Sequence, residues 1–451
     1  MDYFNLKFHN TTIKNEIFAG ISLFMAMSYI LVVCPSMLSE TGMDYNGVFL
    51  ATVFVSGITT IISAFYTKLP IAFAPGLGLA GMFVGLALGP AQVHWSVLLL
   101  ATYVGGIVVC AFVRFGVYDK IMEIMDVGFR RIIMSGVGLA LFLYGFSTLG
   151  LLEKKRGIYT IGEIKWFPLL ICIISLCAMY YLKKYNFKGY ILGGLVIAYI
   201  MSICGDFYSS FQNTGTSISE YFSKIFDISY SIRDIKNVML SFPYIVDVFT
   251  EKEGFVLFVN AVFVFAMGHF FDAIGTNTSS FDAINNNIDT RVKETISLKR
   301  AINADGVGGI ISGLMGTSGV TTYAESLVGV VSGGKTGITA ITTGCLFLLS
   351  FFFAPLFTSM PTYVAAPALI YVGLSLVLRF KEFEKSNKIL FVFGLLLITY
   401  IGVTFNTGHA VLYGLIAYTL IKILIYKEKP VRKWWIILIF ATIHIWLNYI
   451  V

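Results

Sequence analysis

One carboxylate, Glu325, stands deep within the stretch Ala304–Gly337, ADGVGGIISGLMGTSGVTTYAESLVGVVSGGKTG, where Asp305 and Lys335 near the two ends are the only other charges. An ionisable group in apolar sequence is costly, and its default reading is functional. A continuous apolar helix has no use for Gly316, Thr317, Ser318 and Gly319 in succession. They predict a break, with Gly316 to Ser318 extended and Thr321 to Val331 restarting as a short helix whose N-terminal amides can bind a polar group. Irregular backbone at membrane depth persists only where protein or a water-filled cavity satisfies it, so the break predicts a site.

A second set of reactive side chains lies in GHFFDAIGTNTSSFDA, at the end of the apolar run 255–275. His269 and Asp272 are three apart and share a helix face. Within a span such groups turn to the bundle interior and mark a proton or substrate path. The plainer readings are that Asp272 caps or pairs at the helix end and that His269 is satisfied by a neighbouring carbonyl. Asp282 and Asn285 to Asn287 read as a solvated loop, and Asp305 as a residue that positions the ninth helix.

These residues need a scaffold, and composition says which kind. With 57% hydrophobic and 13% charged residues and a mean hydropathy of +0.81, the chain reads as a polytopic membrane protein and not a soluble globule. The net charge of +7 needs no nucleic acid, because Lys and Arg fall mostly in short loops between apolar runs. The six cysteines, Cys34, Cys110, Cys172, Cys177, Cys204 and Cys345, lie in or beside apolar segments without a CxxC pair and read as packing residues. No metal or cofactor is expected. The N-terminal MDYFNLKFHNTTIKNE is too polar for a secretory signal, so the first apolar run is expected to remain as an anchor.

Spans of roughly 20 apolar residues are expected at 16–38, 47–66, 69–88, 94–114, 130–152, 167–182 and 189–204. After a polar stretch, 205–253, others follow at 255–275, 300–315, 317–331, 337–357, 362–379, 389–406 and 408–425. Trp434–Val451 is a further apolar run that could span, lie in the interface, or take the place of one of the weaker spans above. With Lys7 and Lys14 cytoplasmic, the even-numbered loops are basic, from Lys68, through Lys183 and Lys184, Arg291 to Arg300 and Lys335, to Lys427 and beyond. Lys154, Lys155 and Arg156 are the exception to this positive-inside pattern. About fourteen segments follow, and two halves of about seven would be inverted relative to one another.

Inversion requires a matching break in the third segment, PIAFAPGLGLAGMFVGLALGP, Pro70–Pro90. Pro75 lacks an N–H and restricts Ala74 to extended backbone, while Gly76 and Gly78 permit a turn into a half-helix. Ala72–Ala74 and Gly316–Ser318 are therefore expected to cross near the midplane and leave two half-helix N-termini on one cavity.

APGLGL at 74–79, FFDAIGT at 270–276, NADGVGG at 303–309, GTSGVTTYAES at 316–326 and GGKTG at 333–337 together resemble the nucleobase/ascorbate transporter superfamily (nucleobase:cation symporter-2 type), and within it the adenine/guanine/hypoxanthine permease branch. The resemblance covers nearly the whole chain. It implies an all-α, uracil-permease-like fold of fourteen segments in two inverted repeats of seven. A core domain would comprise 1–115 and 255–358, a gate domain 116–205 and 359–451, and a polar extracytoplasmic loop 206–254. It also implies proton symport of a purine, a homodimer in the cell membrane in contact with lipid, and Glu325 as the binding carboxylate. Two departures from the branch stand at Ala80 and Gly81, where Asn-Ala is usual, and at His269, where an Asp is usual.

A purine is flat, neutral and edged with donors and acceptors, and suits a slot with apolar walls and a few directed polar groups. Glu325 would accept its N–H groups, backbone amides near Gly78 and near Thr317 and Ser318 would meet its acceptors, and Phe73 and Phe271 would form walls. Protonation of Asp272, His269 or Glu325 would couple transport to the proton gradient. An anion transporter on the same fold is the alternative, although Glu325 would repel an anion. An intramembrane protease using Asp272 and Asp305 lacks any GxGD frame for them.

Overall fold

The computed structural model describes residues 3–427 except 90–91, 118–126, 156–157, 188, 215–235, 240–251, 288–297, 324, 355–356, 358–359, 379, 381–387 and 405–406, together with Leu438 and Thr442. The polar stretch 205–253 and the run Trp434–Val451 therefore lie largely outside the described residues. What is described is mostly helical.

In the first part, α1 (Ile13–Met27) starts at Thr12, whose hydroxyl accepts the Asn15 amide. It passes at Ser28 and Tyr29 into α2 (Ile30–Ser39), and the two run end to end as one apolar stretch, 13–39, that contains the expected span 16–38. Asp44 caps α3 (Tyr45–Thr67) by accepting the Gly47 amide at 2.8 Å. Strand β1 (Phe73–Pro75) leads into α4 (Leu77–Leu88), and α5 (Trp95–Arg114) follows. Then come α6 (Val127–Thr148), the hairpin β2 (Leu152–Lys155) and β3 (Ile158–Ile161), α7 (Trp166–Lys184) and α8 (Tyr190–Thr214). Lys154 and Lys155 of the basic exception thus fall on a hairpin that the hydropathy pattern did not predict, and Arg156 lies outside the described residues.

The second part opens with α9 (Lys252–Asn287). It runs well beyond the expected end at 275, and Asp282 and Asn285–Asn287 are helical backbone, not loop; no proline interrupts the sequence there. After α10 (Leu298–Met315) the chain turns into β4 (Val320–Thr322), then α11 (Ser326–Val331) and α12 (Gly337–Leu349). Helices α13 (Ala366–Val377), α14 (Lys388–Thr404) and α15 (Thr407–Leu424) complete the described fold.

By length and composition, five helices can cross a membrane, over 13–39, 45–67, 95–114, 131–148 and 166–184, and seven shorter apolar helices accompany them among the described residues. Helix α5 packs along α9 and α10, while α12 packs along α1 and α3; α13 and α14 both pack along α6, and α7 along α8. Glycine makes the closest of these approaches possible. A Cβ on Gly106 of α5 would stand 2.6 Å from the Ile310 amide nitrogen of α10, and one on Gly57 of α3 would stand 2.6 Å from the Leu348 side chain of α12. Glu16, fully buried in α1, accepts the Lys335 amide at 3.0 Å, the Thr336 amide at 3.2 Å and the Thr339 hydroxyl at 2.6 Å. It holds the two amides just before α12 and, through Thr339, ties that helix to α1.

Candidate functional site

The two interrupted segments meet as an antiparallel pair, with Phe73 opposite Thr322, Ala74 opposite Thr321 and Pro75 opposite Val320. The second extended piece is therefore Val320–Thr322, not Gly316–Ser318, and the short helix begins at Ser326, not Thr321. Local chemistry explains the shift. Gly316 ends α10 at φ 93°, with its own amide and that of Thr317 both donating to the Ser312 carbonyl at 3.0 Å, a glycine helix stop. Beyond it, Val320, Thr321 and Thr322 are β-branched and favour extended backbone.

Around the strands the backbone is well satisfied. The Gly76 amide donates to the Gly319 carbonyl at 2.9 Å, the Tyr323 amide to the Ala72 carbonyl at 3.1 Å, and the Ala72 amide to the Ser326 hydroxyl at 3.1 Å. Thr60 of α3 holds β1 on both sides, accepting the Phe73 amide and donating to the Phe73 carbonyl, each at 3.0 Å. Asp305 of α10 holds β4 by accepting the Thr322 amide, and it also accepts from the Asn277 side chain of α9. The Tyr323 hydroxyl donates to the Pro75 carbonyl at 2.6 Å and closes the crossing.

Each strand then delivers a half-helix start. Helix α4 begins after Gly76 without a side-chain cap, so its first-turn amides, at Gly78 among others, point their partial positive charge out of the helix end. Asp272 of α9 reaches this place: its Oδ2 lies 3.1 Å from where a Cβ on Gly76 would stand. A Cβ on Gly78 would lie 3.3 Å from Val137 of α6, so this turn faces α6. Glu325 occupies the position before α11, half-buried, with Oε1 accepting the Tyr29 hydroxyl at 2.9 Å. Tyr190 of α8 lies within electrostatic reach of Glu325. Its ring meets that of Tyr371 of α13 at 5.4 Å, and Lys183 sits over both rings at 5.6 and 5.4 Å.

Glu325, Asp272 and Gly78 are thus gathered at the half-helix starts. His269 is buried behind them, packed over Gly309, where a Cβ would stand 2.6 Å from its Cε1. Thr317 and Ser318 are fully buried on the turn before β4, with the Thr317 hydroxyl 3.5 Å from Cys34 Sγ in α2. Phe73 is fully buried in a cluster with Val55, Ile71, Ala301 and Val320. The Phe271 side chain lies outside the described residues. Tyr29, Thr60, Asn277 and Tyr323 escaped the sequence reading; the only signal for Tyr29 was a polar Ser-Tyr pair inside an apolar run.

Comparison with known proteins agrees with this architecture. A permease family (Xan_ur_permease) matches residues 14–425. A putative permease of Methanocaldococcus jannaschii, MJ0326, is 29% identical over 98% of this chain and 96% of its own length. The adenine permease AdeQ of Escherichia coli is 28% identical over 93% of this chain and 90% of its own length. The guanine/hypoxanthine permease PbuG of Bacillus subtilis is 26% identical over 94% and 93%. Among solved structures, the transmembrane domain of a cyanobacterial bicarbonate transporter, BicA, shares the fold at a TM-score of 0.63 and 15% identity, covering 87% of this chain and 97% of that one. Two discontinuous segments crossing in a bundle of apolar helices, and a family match over almost the full length, lead to one conclusion: the chain belongs to the nucleobase/ascorbate transporter family, as a multi-pass transporter of the cell membrane and not an enzyme.

Proposed function

We propose that this permease imports a purine nucleobase of the hypoxanthine, guanine or adenine type by proton symport. The observation that carries the reading is Glu325, a half-buried carboxylate held at the start of α11 beside the strand crossing. A carboxylate accepts N–H groups, and the uncapped start of α4 supplies donors for ring nitrogens and carbonyls. Relatives named as adenine and guanine/hypoxanthine permeases support the substrate class. Asp272, His269 and Glu325 are the groups assigned to the proton, and Phe73, Phe271, Thr317 and Ser318 are assigned to the surroundings of the base. The branch departures at Ala80, Gly81 and His269 bear on which base is preferred.

Alternating access in this reading moves α1–α5 and α9–α12 as a core against α6–α8 and α13–α15 as a gate. Support comes from reciprocal packing: α5 on α9 and α10 mirrors α12 on α1 and α3, as two inverted repeats of seven in a fourteen-segment chain require. A homodimer belongs to the same reading, on the family resemblance.

Purified protein in liposomes tests it. Uptake of radiolabelled purine should be concentrative under an inward proton gradient and collapse with an uncoupler. Glu325→Gln should abolish that uptake while membrane abundance is retained, and wild-type rates in this variant would remove Glu325 from the role. A second reading, anion transport, is favoured by the bicarbonate-transporter fold neighbour and by the uncapped α4 start. A carboxylate at each half-helix start, Asp272 at α4 and Glu325 at α11, opposes it, and bicarbonate exchange without purine uptake is the result that would establish it.

A further inference from the structure

The first span changes helix at a two-residue junction, and one of the two residues reaches the acid. Ser28 and Tyr29 separate α1 from α2. The junction tightens there: the Leu31 amide donates to the Ser28 carbonyl at 3.1 Å, and the Val32 and Val33 amides both donate to the Tyr29 carbonyl at 3.1 Å. The tyrosine side chain is 1% exposed, and its hydroxyl donates to Glu325 Oε1 at 2.9 Å across 296 residues of sequence. A phenol in an apolar interior that spends its only proton on a half-buried carboxylate is doing more than filling space.

We infer that Tyr29 is a positioning residue for the base-binding acid: its hydroxyl holds one carboxylate oxygen of Glu325 and thereby sets the rotamer in which that acid meets the base. The inference rests on the nucleobase reading of the site. The hydroxyl can donate to ionised Glu325 and accept from the protonated acid, so it holds the side chain in both states but favours the charged one. Among the described residues, Tyr323 of its own segment and Tyr190 of α8 also lie near Glu325, with Asp272 of α9 near Tyr323.

The test is Tyr29→Phe in proteoliposomes, with KM and maximal rate for hypoxanthine and for adenine measured across mildly acid to mildly alkaline pH. KM should rise about ten-fold, the size of one hydrogen bond to a charged group, with maximal rate much less affected. The pH profile should shift toward higher pH, because ionised Glu325 has lost a donor. Tyr45→Phe removes a comparable hydroxyl, bonded at 3.3 Å to the Phe357 carbonyl, and should lower stability without moving the pH profile. In equilibrium purine binding, Tyr29→Phe should add almost nothing on top of Glu325→Gln. Wild-type KM and pH profile in Tyr29→Phe, or a full additive effect in the double variant, overturn the inference. Should Tyr29→Phe fail to fold, Glu325→Asp draws the carboxylate one methylene away from the hydroxyl and must show the same KM rise and pH shift, and wild-type values there also overturn it. A wild-type protein that moves no purine removes the substrate reading first and this inference with it.

Discussion

The two arms of the crossing are built alike but tethered differently. Each strand is held by a side chain from the helix before it: Thr60 of α3 grips β1 at Phe73, Asp305 of α10 grips β4 at Thr322, and these two strand residues face each other. One tether is a neutral hydroxyl satisfying both an amide and a carbonyl. The other is a buried carboxylate that also recruits Asn277 from α9. Beyond the strands the contrast continues, for β1 opens into a twelve-residue helix and β4 into a six-residue one preceded by Glu325. Even the visitors differ: α9 brings a carboxylate, Asp272, to the start of α4, whereas the first span brings a hydroxyl, Tyr29, to Glu325. Similar backbone geometry is thus reached with and without charge, so geometry alone does not require the acids. The acid that carries the proposed binding role lies on the β4 arm, and that arm's backbone is held by a carboxyl group that also bonds a second helix.

That asymmetry can be broken experimentally. Asp305→Ala should be the most damaging change, costing about 3 kcal/mol, because the buried Thr322 amide loses its acceptor and Asn277 keeps only the Ala273 carbonyl. The measurement is the melting temperature of the detergent-solubilised protein, and a loss no larger than that of the neutral tether would mean the two arms are held equally. Thr60→Val, which keeps the shape and removes the hydroxyl, should cost about 1 to 2 kcal/mol in the same assay. Pro75→Ala should be mildest, below about 1 kcal/mol, since it loosens the unfolded chain and removes no bond made by the Pro75 carbonyl. A large Pro75 effect would show that β1 depends on its proline more than on Thr60.

Much of the fold was legible in the residues. The breaks announced themselves through Pro75 with Gly76 and through Gly316 to Gly319, because proline and glycine act on their own backbone. Glu325 stood out because charge is rare in apolar sequence. The placement of the second extended piece was misread by four residues: glycines mark where a helix stops, but the β-branched run Val320–Thr322 decides where the chain extends. The hairpin at 152–161 and the long reach of α9 to Asn287 gave no signal in hydropathy, which reports burial in lipid and not pairing or helix continuation in polar sequence.

By itself, then, the amino-acid order determined the membrane class, the two interruptions and the isolated acid, all properties set by neighbouring residues and the surrounding solvent. Only the tertiary structure decided that Phe73 faces Thr322, that Asp305 joins Asn277 to β4, and that Tyr29 holds Glu325. Those partners are separated by as many as 296 residues, and hydropathy and helical period describe a segment's own faces, whereas a hydrogen bond across a bundle depends on how segments distant in sequence come to pack.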